Sequence, residues 1–246
     1  MVVLLLVYAS TVAYSAVEVA QSSPQSHSLE PSFAANGTIE VTGSFSVSNP
    51  GLYPIQGFAL SARVANETGA LLGTTGVGPS NIAPSSTVEF PIALFVPVSA
   101  HGPAASLLTK DQVLEVNAWG NATFAYLFPL SLSLSENRSW GAPFEGLVVG
   151  VGTPTVQGGT IVVPVTVQFS NHASSADNGT LRFLLESSHS VVCGTGAFDL
   201  DVLSGAPYED TQNVAVSSGC SLAGGEVLST YATASGSVPL PSEAIP

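Results

Sequence analysis

Two stretches of this chain read as nearly the same β-strand, 122 residues apart. Residues 36–50 are NGTIEVTGSFSVSNP, and residues 158–172 are GGTIVVPVTVQFSNH. Apolar side chains take alternate positions in both copies: Ile39, Val41, Phe45 and Val47 in the first, and Ile161, Val163, Val165, Val167 and Phe169 in the second. Such alternation indicates a strand with one buried face. A chain of 246 residues is long enough for two cores, so the repeat predicts two similar domains.

The later strand patterns of each copy follow in the same order, and turn residues recur every 8 to 15 positions, as in an all-β sandwich. The copies differ before their last predicted strand. There the first copy is predicted to hold a short helix from Pro103 to Leu108, whereas the second has a shorter loop. Pro164 lacks an amide donor, which predicts that its strand lies at a sheet edge or carries a bulge.

Composition and patterning divide the chain into four segments. Residues 1–22 form a hydrophobic anchor or signal helix, residues 23–35 a Ser/Pro linker, residues 36–140 the first sandwich and residues 141–246 the second, divergent one. The boundary between the sandwiches is placed in the turn-like run ENRSWGAP, near Trp140.

The N-terminal segment predicts a location outside the cytoplasm. It carries no charge before Glu18, and its apolar run barely supplies the roughly 20 residues that a membrane-spanning helix needs. A signal peptide is one alternative, because residues 13–15 fit a small-x-small cleavage site, although no Lys or Arg precedes them. A buried core helix of the folded domain is another. We favour a retained helix that anchors the protein in a membrane.

Charge excludes two classes of partner. Only 9% of the residues are charged, and 17 acidic residues outnumber 4 basic ones: Arg63, Lys110, Arg138 and Arg182. Nucleic acid is excluded because phosphate binding requires clustered Lys and Arg. The same deficit argues against a polybasic membrane-surface patch. The net charge of −13 favours solubility, with cation binding as the alternative.

Cysteines and glycosylation sequons fit an extracytoplasmic location. Cys193 and Cys220 are too few for a zinc site, so they form either a disulfide, which we favour, or two buried thiols. A disulfide closing this loop would stabilise the fold by on the order of 3 kcal/mol. Five Asn-x-Ser/Thr sequons predict surface N-linked glycans, with chance occurrence as the alternative. They are Asn36, Asn66, Asn121, Asn137 and Asn178.

The first repeat resembles the WHy domain of group-2 late-embryogenesis-abundant proteins and their archaeal and bacterial relatives. The matching residues, within 36–128, are the strand SFSVSNP ending at Asn49-Pro50, then GLYPI, GFALSARV and PSSTVEFPIALFV. The second repeat keeps Asn171 but has His172 where the proline is expected. The resemblance implies a small Greek-key-like β-sandwich, commonly tethered to a membrane, linked to desiccation or stress tolerance and without a known catalytic centre.

These observations together define the predicted fold class. It is all-β, with two tandem immunoglobulin-like, Greek-key β-sandwiches preceded by an N-terminal hydrophobic helix. In the WHy-like motif, Asn49 and Pro50 are expected to form a turn, because an asparagine side chain bonds nearby backbone and proline presets φ.

The sequence holds no catalytic signature. Its four histidines fall in predicted loops or the linker, and it lacks GxSxG, HExxH, P-loop and strand-linked GxGxxG motifs. We therefore predict neither enzyme activity nor a cofactor. The densest acidic group would form a calcium site if a strand and the following loop brought its members together, but a solvated acidic face is the favoured interpretation. Its members are Asp199, Asp201, Glu209 and Asp210.

Three functions remain compatible with these features. The leading hypothesis is a non-enzymatic protein of an archaeal or other microbial cell surface, displayed from an N-terminal membrane anchor in a structural, adhesive or stress-protective role. The alternative is a subunit of an extracellular filament or pilus, self-assembled from identical chains, whose apolar N-terminus packs in the fibre core or donates a strand. The third is a secreted carbohydrate- or calcium-binding module.

Overall fold

The computed structural model describes residues 2–22, 25–34, 36–98 and 102–245, and most of these residues lie in β-strands. One α-helix, α1, spans Val2–Gln21, and a 3-10 helix covers Ala105–Leu108. The strands, in chain order, are β1 (Gln25–Phe33), β2 (Thr38–Asn49), β3 (Ile55–Ala65), β4 (Leu71–Ile82), β5 (Ser86–Pro97), β6 (Gln112–Phe124), β7 (Phe128–Trp140), β8 (Glu145–Val151), β9 (Thr155–Gln157), β10 (Thr160–Ser170), β11 (Asp177–Glu186), β12 (Val192–Val202), β13 (Pro207–Val216), β14 (Glu226–Thr233), β15 (Gly236–Pro239) and β16 (Glu243–Ala244). The prediction of a mostly β chain preceded by an N-terminal helix is confirmed.

The chain divides into two compact units. Unit 1 comprises Met1–Pro31, Glu40–Phe95 and Val113–Arg138, and unit 2 comprises Ser32–Ile39, Val96–Gln112 and Ser139–Pro246. The sheets of unit 1 have the strand orders β1-β2-β5 and β4-β3-β6-β7. Those of unit 2 have the orders β13-β10-β8, with β9 also on β10, and β12-β11-β14-β15, with β16 also on β14.

The two units share one strand order. Matching β8, β10 and β13 to β1, β2 and β5, and β11, β12, β14 and β15 to β3, β4, β6 and β7, superimposes the two topologies strand for strand. The two similar stretches of sequence become β2 and β10, each the central strand of its sheet. The repeat read in the sequence is therefore also a repeat of topology.

Alternating side chains build the core of each unit. The predicted inward face of β2 is buried throughout, and the rings of Phe58 on β3 and Phe90 on β5 lie 4.9 Å apart, joining the two sheets of unit 1. On β10 the predicted face is buried from Val163 to Phe169, but Ile161 is 36% exposed near the start of the strand. The alternation thus predicts the face correctly, and only its first member on β10 lies outside the core.

Pro164 does not lie on an edge strand, which was one alternative of the prediction; the other was a bulge, and β10 does shift register against β8 between Gln168 and Ser170. It lies in β10, which has a neighbouring strand on both sides. In the ladder between β10 and β13, Pro164 is opposite Asn213. Its carbonyl accepts from the N–H of Gly152, so its nitrogen faces the same side of the strand. On that side the ladder to β9 ends at Val162 and the ladder to β8 begins at Val165, so the missing donor falls between two ladders.

The predicted Ser/Pro linker is also wrong over most of its length. Residues 25–33 form β1, an edge strand next to β2, with Leu29 and Phe33 buried. The proline within it, Pro31, is tolerated because an edge strand needs hydrogen-bond donors on one side only. Serine and proline content therefore concealed a strand.

The segment with the predicted short helix groups with unit 2, not with the first sandwich. The Trp140 indole N–H donates to the carbonyl of Leu107 at 2.6 Å, and the Phe144 N–H donates to the carbonyl of Leu108 at 2.9 Å. Both leucines are fully buried. A boundary at Trp140 separates these partners, whereas the structure keeps Val96–Gln112 and Ser139–Pro246 in one unit.

Cys193 and Cys220 form a disulfide in unit 2. Their Cα atoms are 5.6 Å apart, and the bond ties β12 to the loop after β13 across 27 positions. Cys193 is buried and its strand neighbours the edge of the other sheet, because Gly194 approaches the Ala215 carbonyl. The bond therefore links the edge strand of one sheet to the loop that follows the edge strand of the other.

Removing this disulfide should lower the free energy of unfolding by about 3 kcal/mol, since the unfolded loop regains its conformational freedom. Urea unfolding of the Cys193→Ala/Cys220→Ala variant measures the loss. A reductant should destabilise the parent by a similar amount and leave the variant unchanged. Equal midpoints for the parent with and without complete reduction would contradict the prediction.

Candidate functional site

Three side chains with metal-ligating atoms meet in unit 2. They are Asp111, which follows the 3-10 helix, Glu145 at the start of β8, and His172, just after β10. One ligand atom from each lies within 4.8 Å of the other two. Nδ1 of His172 is 2.7 Å from Oδ2 of Asp111. Asp111 and His172 are exposed and Glu145 is half-buried, so solvent reaches the cluster. Among the described residues, this is the one such group of three or more.

Hydrogen bonds from the backbone orient the two carboxylates, and another bond fixes the backbone of His172. Oδ1 of Asp111 accepts from the Ala142 N–H at 2.8 Å, and Oε2 of Glu145 accepts from the Asp111 N–H at 2.7 Å. The His172 N–H donates to the Ala142 carbonyl at 2.9 Å. Gly141 makes this approach possible, because a Cβ there would lie 1.9 Å from the His172 carbonyl oxygen. The positions of the three residues are thus fixed by hydrogen bonds of the surrounding backbone.

No sequence motif indicates this cluster. Its members are separated by 34 and 27 positions and match no metal-binding motif. One signal was visible, because His172 stands where the first repeat has Pro50. Asp111 belongs to the segment that the second repeat lacks, so comparison of the repeats could not have paired it with the other two.

The acidic group of the sequence is spread over two strands. All four carboxylates are exposed, on β12 and β13, and they do not come together in any three-membered ligand group among the described residues. Asp199 and Asp210 affect the pKa of one neighbouring residue, Tyr208. Burial, followed by the charges of these two residues and a hydrogen bond to Asp210, raises the pKa of Tyr208. Asp199, Asp201, Glu209 and Asp210 are all exposed to solvent.

The histidines of the described chain are dispersed. His27, His172 and His189 are exposed, and each has a different polar neighbour: Ser46, Asp111 and Ser188 respectively. His101 lies outside the described residues. No two of the three described histidines share a partner in these bonds.

Asp177 is a buried carboxylate at the start of β11. Its side chain is 2% exposed, and its Oδ2 has no hydrogen-bond partner in the described structure. Burial raises the pKa of Asp177 to about 7. Burial and then the nearby charge of Asp177 raise the pKa of Tyr231 to about 12. The equivalent residue of the first repeat is Ile55, which is fully buried.

A buried asparagine closes the central strand of each repeat. Asn49 and Asn171 are both fully buried. Nδ2 of Asn49 donates to the carbonyls of Tyr53 and Ile82, and Nδ2 of Asn171 donates to those of Ser175 and Val202. In both, Oδ1 accepts from the backbone N–H two residues later. The expected turn contact is present, and the bond to the end of β4 or β12 was not foreseen.

Four of the five sequon asparagines are exposed. Asn36 lies in a turn, Asn121 and Asn137 in strands, and Asn178 near the start of β11. Asn137 lies in the turn-like run ENRSWGAP of the sequence, and it falls three residues before the end of β7, which continues to Trp140. Asn66 is only 6% exposed, and its Oδ1 accepts three hydrogen bonds from Thr68 and Ala70. This burial argues against Asn66 as a glycan carrier in the folded protein.

Helix α1 packs one stripe of its surface on unit 1. Val12, Ser15 and Val19 are buried. The Thr11 and Tyr53 hydroxyls lie 2.7 Å apart, and Oγ of Ser15 accepts from the Leu52 N–H at 3.1 Å. The spacing of three to four residues is that of one helix face.

The first turns of α1 differ from the rest of the helix. Val3, Leu4, Leu5, Leu6 and Val7 are each between 54% and 75% exposed. Their side chains are therefore apolar and uncovered. Of the helices that the structure describes, none combines the length and the apolar character needed to cross a membrane.

Comparison with known proteins identifies no family. No protein-family model matches the chain, and no curated protein matches it either. A crystal structure of red sea bream transglutaminase aligns with 92% of this chain and 31% of its own length, at 13% identity and a TM-score of 0.33. The present chain thus spans about a third of that protein.

A second structure is the pre-assembly complex of the CsuC chaperone and the CsuE tip adhesion subunit, from the archaic chaperone-usher Csu pili of Acinetobacter baumannii. It aligns with 83% of this chain and 89% of that chain, at 13% identity and a TM-score of 0.22. Both scores are below 0.5, so neither likeness supports a conclusion about fold or function.

Proposed function

We propose that this chain is a non-enzymatic, extracytoplasmic surface protein that the first turns of α1 hold at a membrane. Its role would be structural, adhesive or stress-protective. The observation that carries the proposal is the exposure of residues 3–7. Five consecutive residues cover more than one helical turn, so apolar side chains point to every side. A helix that is apolar all round is stable when lipid or protein surrounds it.

The remainder of the chain supports a location outside the cytoplasm. Disulfides such as Cys193–Cys220 persist in oxidising compartments. The exposed sequon asparagines offer positions for N-linked glycans on a surface with few charges. These positions are Asn36, Asn121, Asn137 and Asn178.

We further propose that both units are immunoglobulin-like, Greek-key sandwiches related to the WHy domain. Unit 1 has a three-stranded and a four-stranded sheet, and unit 2 has the same two sheets with one short strand added to each, β9 and β16. Consecutive strands such as β2 and β3, or β4 and β5, lie in different sheets. Changes of sheet of this kind are typical of Greek-key sandwiches. The buried Asn49 supports the relationship, because it closes the strand of the WHy-like motif.

A filament subunit is the second candidate. The bonds that Thr11 and Ser15 make attach the middle of α1 to unit 1. The apolar turns before them are therefore held in a defined position. Packing of several copies around a fibre core requires such a fixed arrangement, whereas a flexible lipid anchor does not.

Flotation with liposomes tests the membrane proposal. We expect the purified full chain to float with phosphatidylcholine liposomes in a sucrose gradient. The Leu4→Gln/Leu5→Gln/Leu6→Gln variant should lose more than about tenfold in its floating fraction, because burying each leucine contributes roughly 1.5–3 kcal/mol.

The matched control replaces three leucines outside α1, Leu71→Gln/Leu127→Gln/Leu203→Gln, which are 55% to 68% exposed. This control should float like the parent. A parent that stays at the bottom of the gradient would contradict membrane attachment. Regular fibres of the parent in lipid-free buffer, seen by electron microscopy and lost in the Leu4/Leu5/Leu6 variant, would favour the filament.

A further inference from the structure

We propose that Asp111, Glu145 and His172 bind a divalent transition-metal ion, with zinc as the best match. The donor set is one imidazole nitrogen and two carboxylate oxygens, which are established zinc ligands. An imidazole favours zinc, copper or nickel, whereas calcium and magnesium take oxygen ligands and more of them. The chemistry of this cluster therefore favours a transition-metal ion over calcium.

The distances fit a metal ion after small side-chain rotations. Ligands bound at about 2.1 Å in a tetrahedral site lie about 3.4 Å from one another. In the structure the three ligand atoms lie within 4.8 Å of one another, and the His172–Asp111 pair is 2.7 Å apart. One ion between them would separate the pair by less than 1 Å and draw Glu145 inward. Water would complete the coordination, because the cluster is open to solvent.

The charge of the cluster calls for a cation. Two carboxylates lie side by side, and in the described structure no Lys or Arg nitrogen comes within 4.0 Å of either of them. His172 is the one basic side chain at that distance. Outside this cluster, the ion pair of the described chain joins Arg138 to Glu136. A bound dication would compensate the two negative charges.

The repeat shows that this strand order does not require His172. The position of His172 is Pro50 in the first repeat, where the same strand order forms without a histidine. Asp111 comes from the segment that distinguishes the first repeat from the second. A metal ion here would join that segment to the start of β8 and the end of β10, and would act as a structural cross-link within unit 2.

Metal titration of the full, untagged chain tests the proposal. The probes are Zn²⁺ by calorimetry and Co²⁺ by visible absorption, after removal of bound metal with a chelator. We expect one Zn²⁺ per chain with a dissociation constant in the micromolar range or below. The variants Glu145→Gln and His172→Gln keep side-chain size and should each weaken binding at least tenfold. Mg²⁺ should not compete at millimolar concentration.

His189→Ala is the matched control, because His189 is an exposed histidine of the same unit outside the cluster. It should bind Zn²⁺ as the parent does. Circular dichroism establishes that each variant is folded before titration. Parent binding weaker than millimolar, or a folded His172→Gln variant that binds as tightly as the parent, would overturn the proposal.

Discussion

Replacing Asp177 with asparagine should change how the stability of this protein depends on pH. The free energy of unfolding of the variant, relative to the parent, should rise by about 4 kcal/mol between pH 3 and pH 8. This figure follows from a shift of about three pKa units at about 1.4 kcal/mol each. The shift is that of a buried carboxyl group, from 3.8 to about 7.

The sign follows from proton binding. The pKa of Asp177 is higher in the folded protein than in the unfolded chain, so the folded state binds its proton more tightly. The contribution to stability is fully present below pH 3.8 and is lost as the pH rises through 7. Above that pH the folded protein holds the buried, charged carboxylate of Asp177, whose Oδ2 lacks a hydrogen-bond partner. Asparagine carries no charge at either pH and removes this dependence.

Urea unfolding of parent and variant at pH values from 3 to 8 measures the effect. Asp199→Asn on β12 is the matched control, because its side chain is exposed, and its curve should run parallel to that of the parent. Asp177→Ile is a second test, since Ile55 occupies the same place in the first repeat. Parallel curves for the parent and Asp177→Asn would show that the carboxylate is solvated in the folded state.

Replacing Asn171 with aspartate should cost about 3 to 5 kcal/mol at pH 7. The substitution keeps the shape of the side chain but removes the two N–H bonds to the carbonyls of Ser175 and Val202. A buried carboxylate oxygen would then face carbonyl oxygens, and each unpaired buried group costs about 1–3 kcal/mol. Denaturant unfolding of the whole chain measures the loss.

The repeat provides an internal comparison for this prediction. Asn49→Asp should cost a similar amount, because its side chain makes equivalent bonds to Tyr53 and Ile82. Asn213→Asp is the control, since Asn213 is exposed on β13, and it should change stability by less than about 0.5 kcal/mol. A loss below 1 kcal/mol for Asn171→Asp would mean that the bonds to the strand ends contribute little.

Much of the strand content was predictable, and the failures have particular causes. Strands β2, β3, β5, β6 and β10 carry clear alternation of apolar and polar residues. Strand β4 was missed because its sequence, LLGTTGVGPSNI, is rich in glycine. Those glycines have a tertiary cause: a Cβ at Gly73 would lie 3.0 Å from the side chain of Leu94, and one at Gly76 would lie 3.3 Å from the Leu60 carbonyl.

The candidate site was less predictable than the strands. The cysteine pair was visible because the chain has only two cysteines, and Asn49 and Asn171 were visible because they occupy the same place in the two repeats. Asp111, Glu145 and His172 were not, since nothing in their local sequences marks them as neighbours. Asp177 was visible only by comparison with Ile55, which requires knowing which positions of the repeat correspond.

Alternation over about ten residues was enough to define strands such as β2 and β10 and to reveal the duplication, because the side chains of a strand point to opposite faces wherever the strand lies. Alternation did not reveal which residues meet across long distances in the chain. The pairing of the 3-10 helix segment with Trp140 and Phe144, the burial of Asp177 and the meeting of Asp111 with His172 join residues far apart in the chain. Such contacts have no local signature, since their energies arise only when the closed fold brings the segments together.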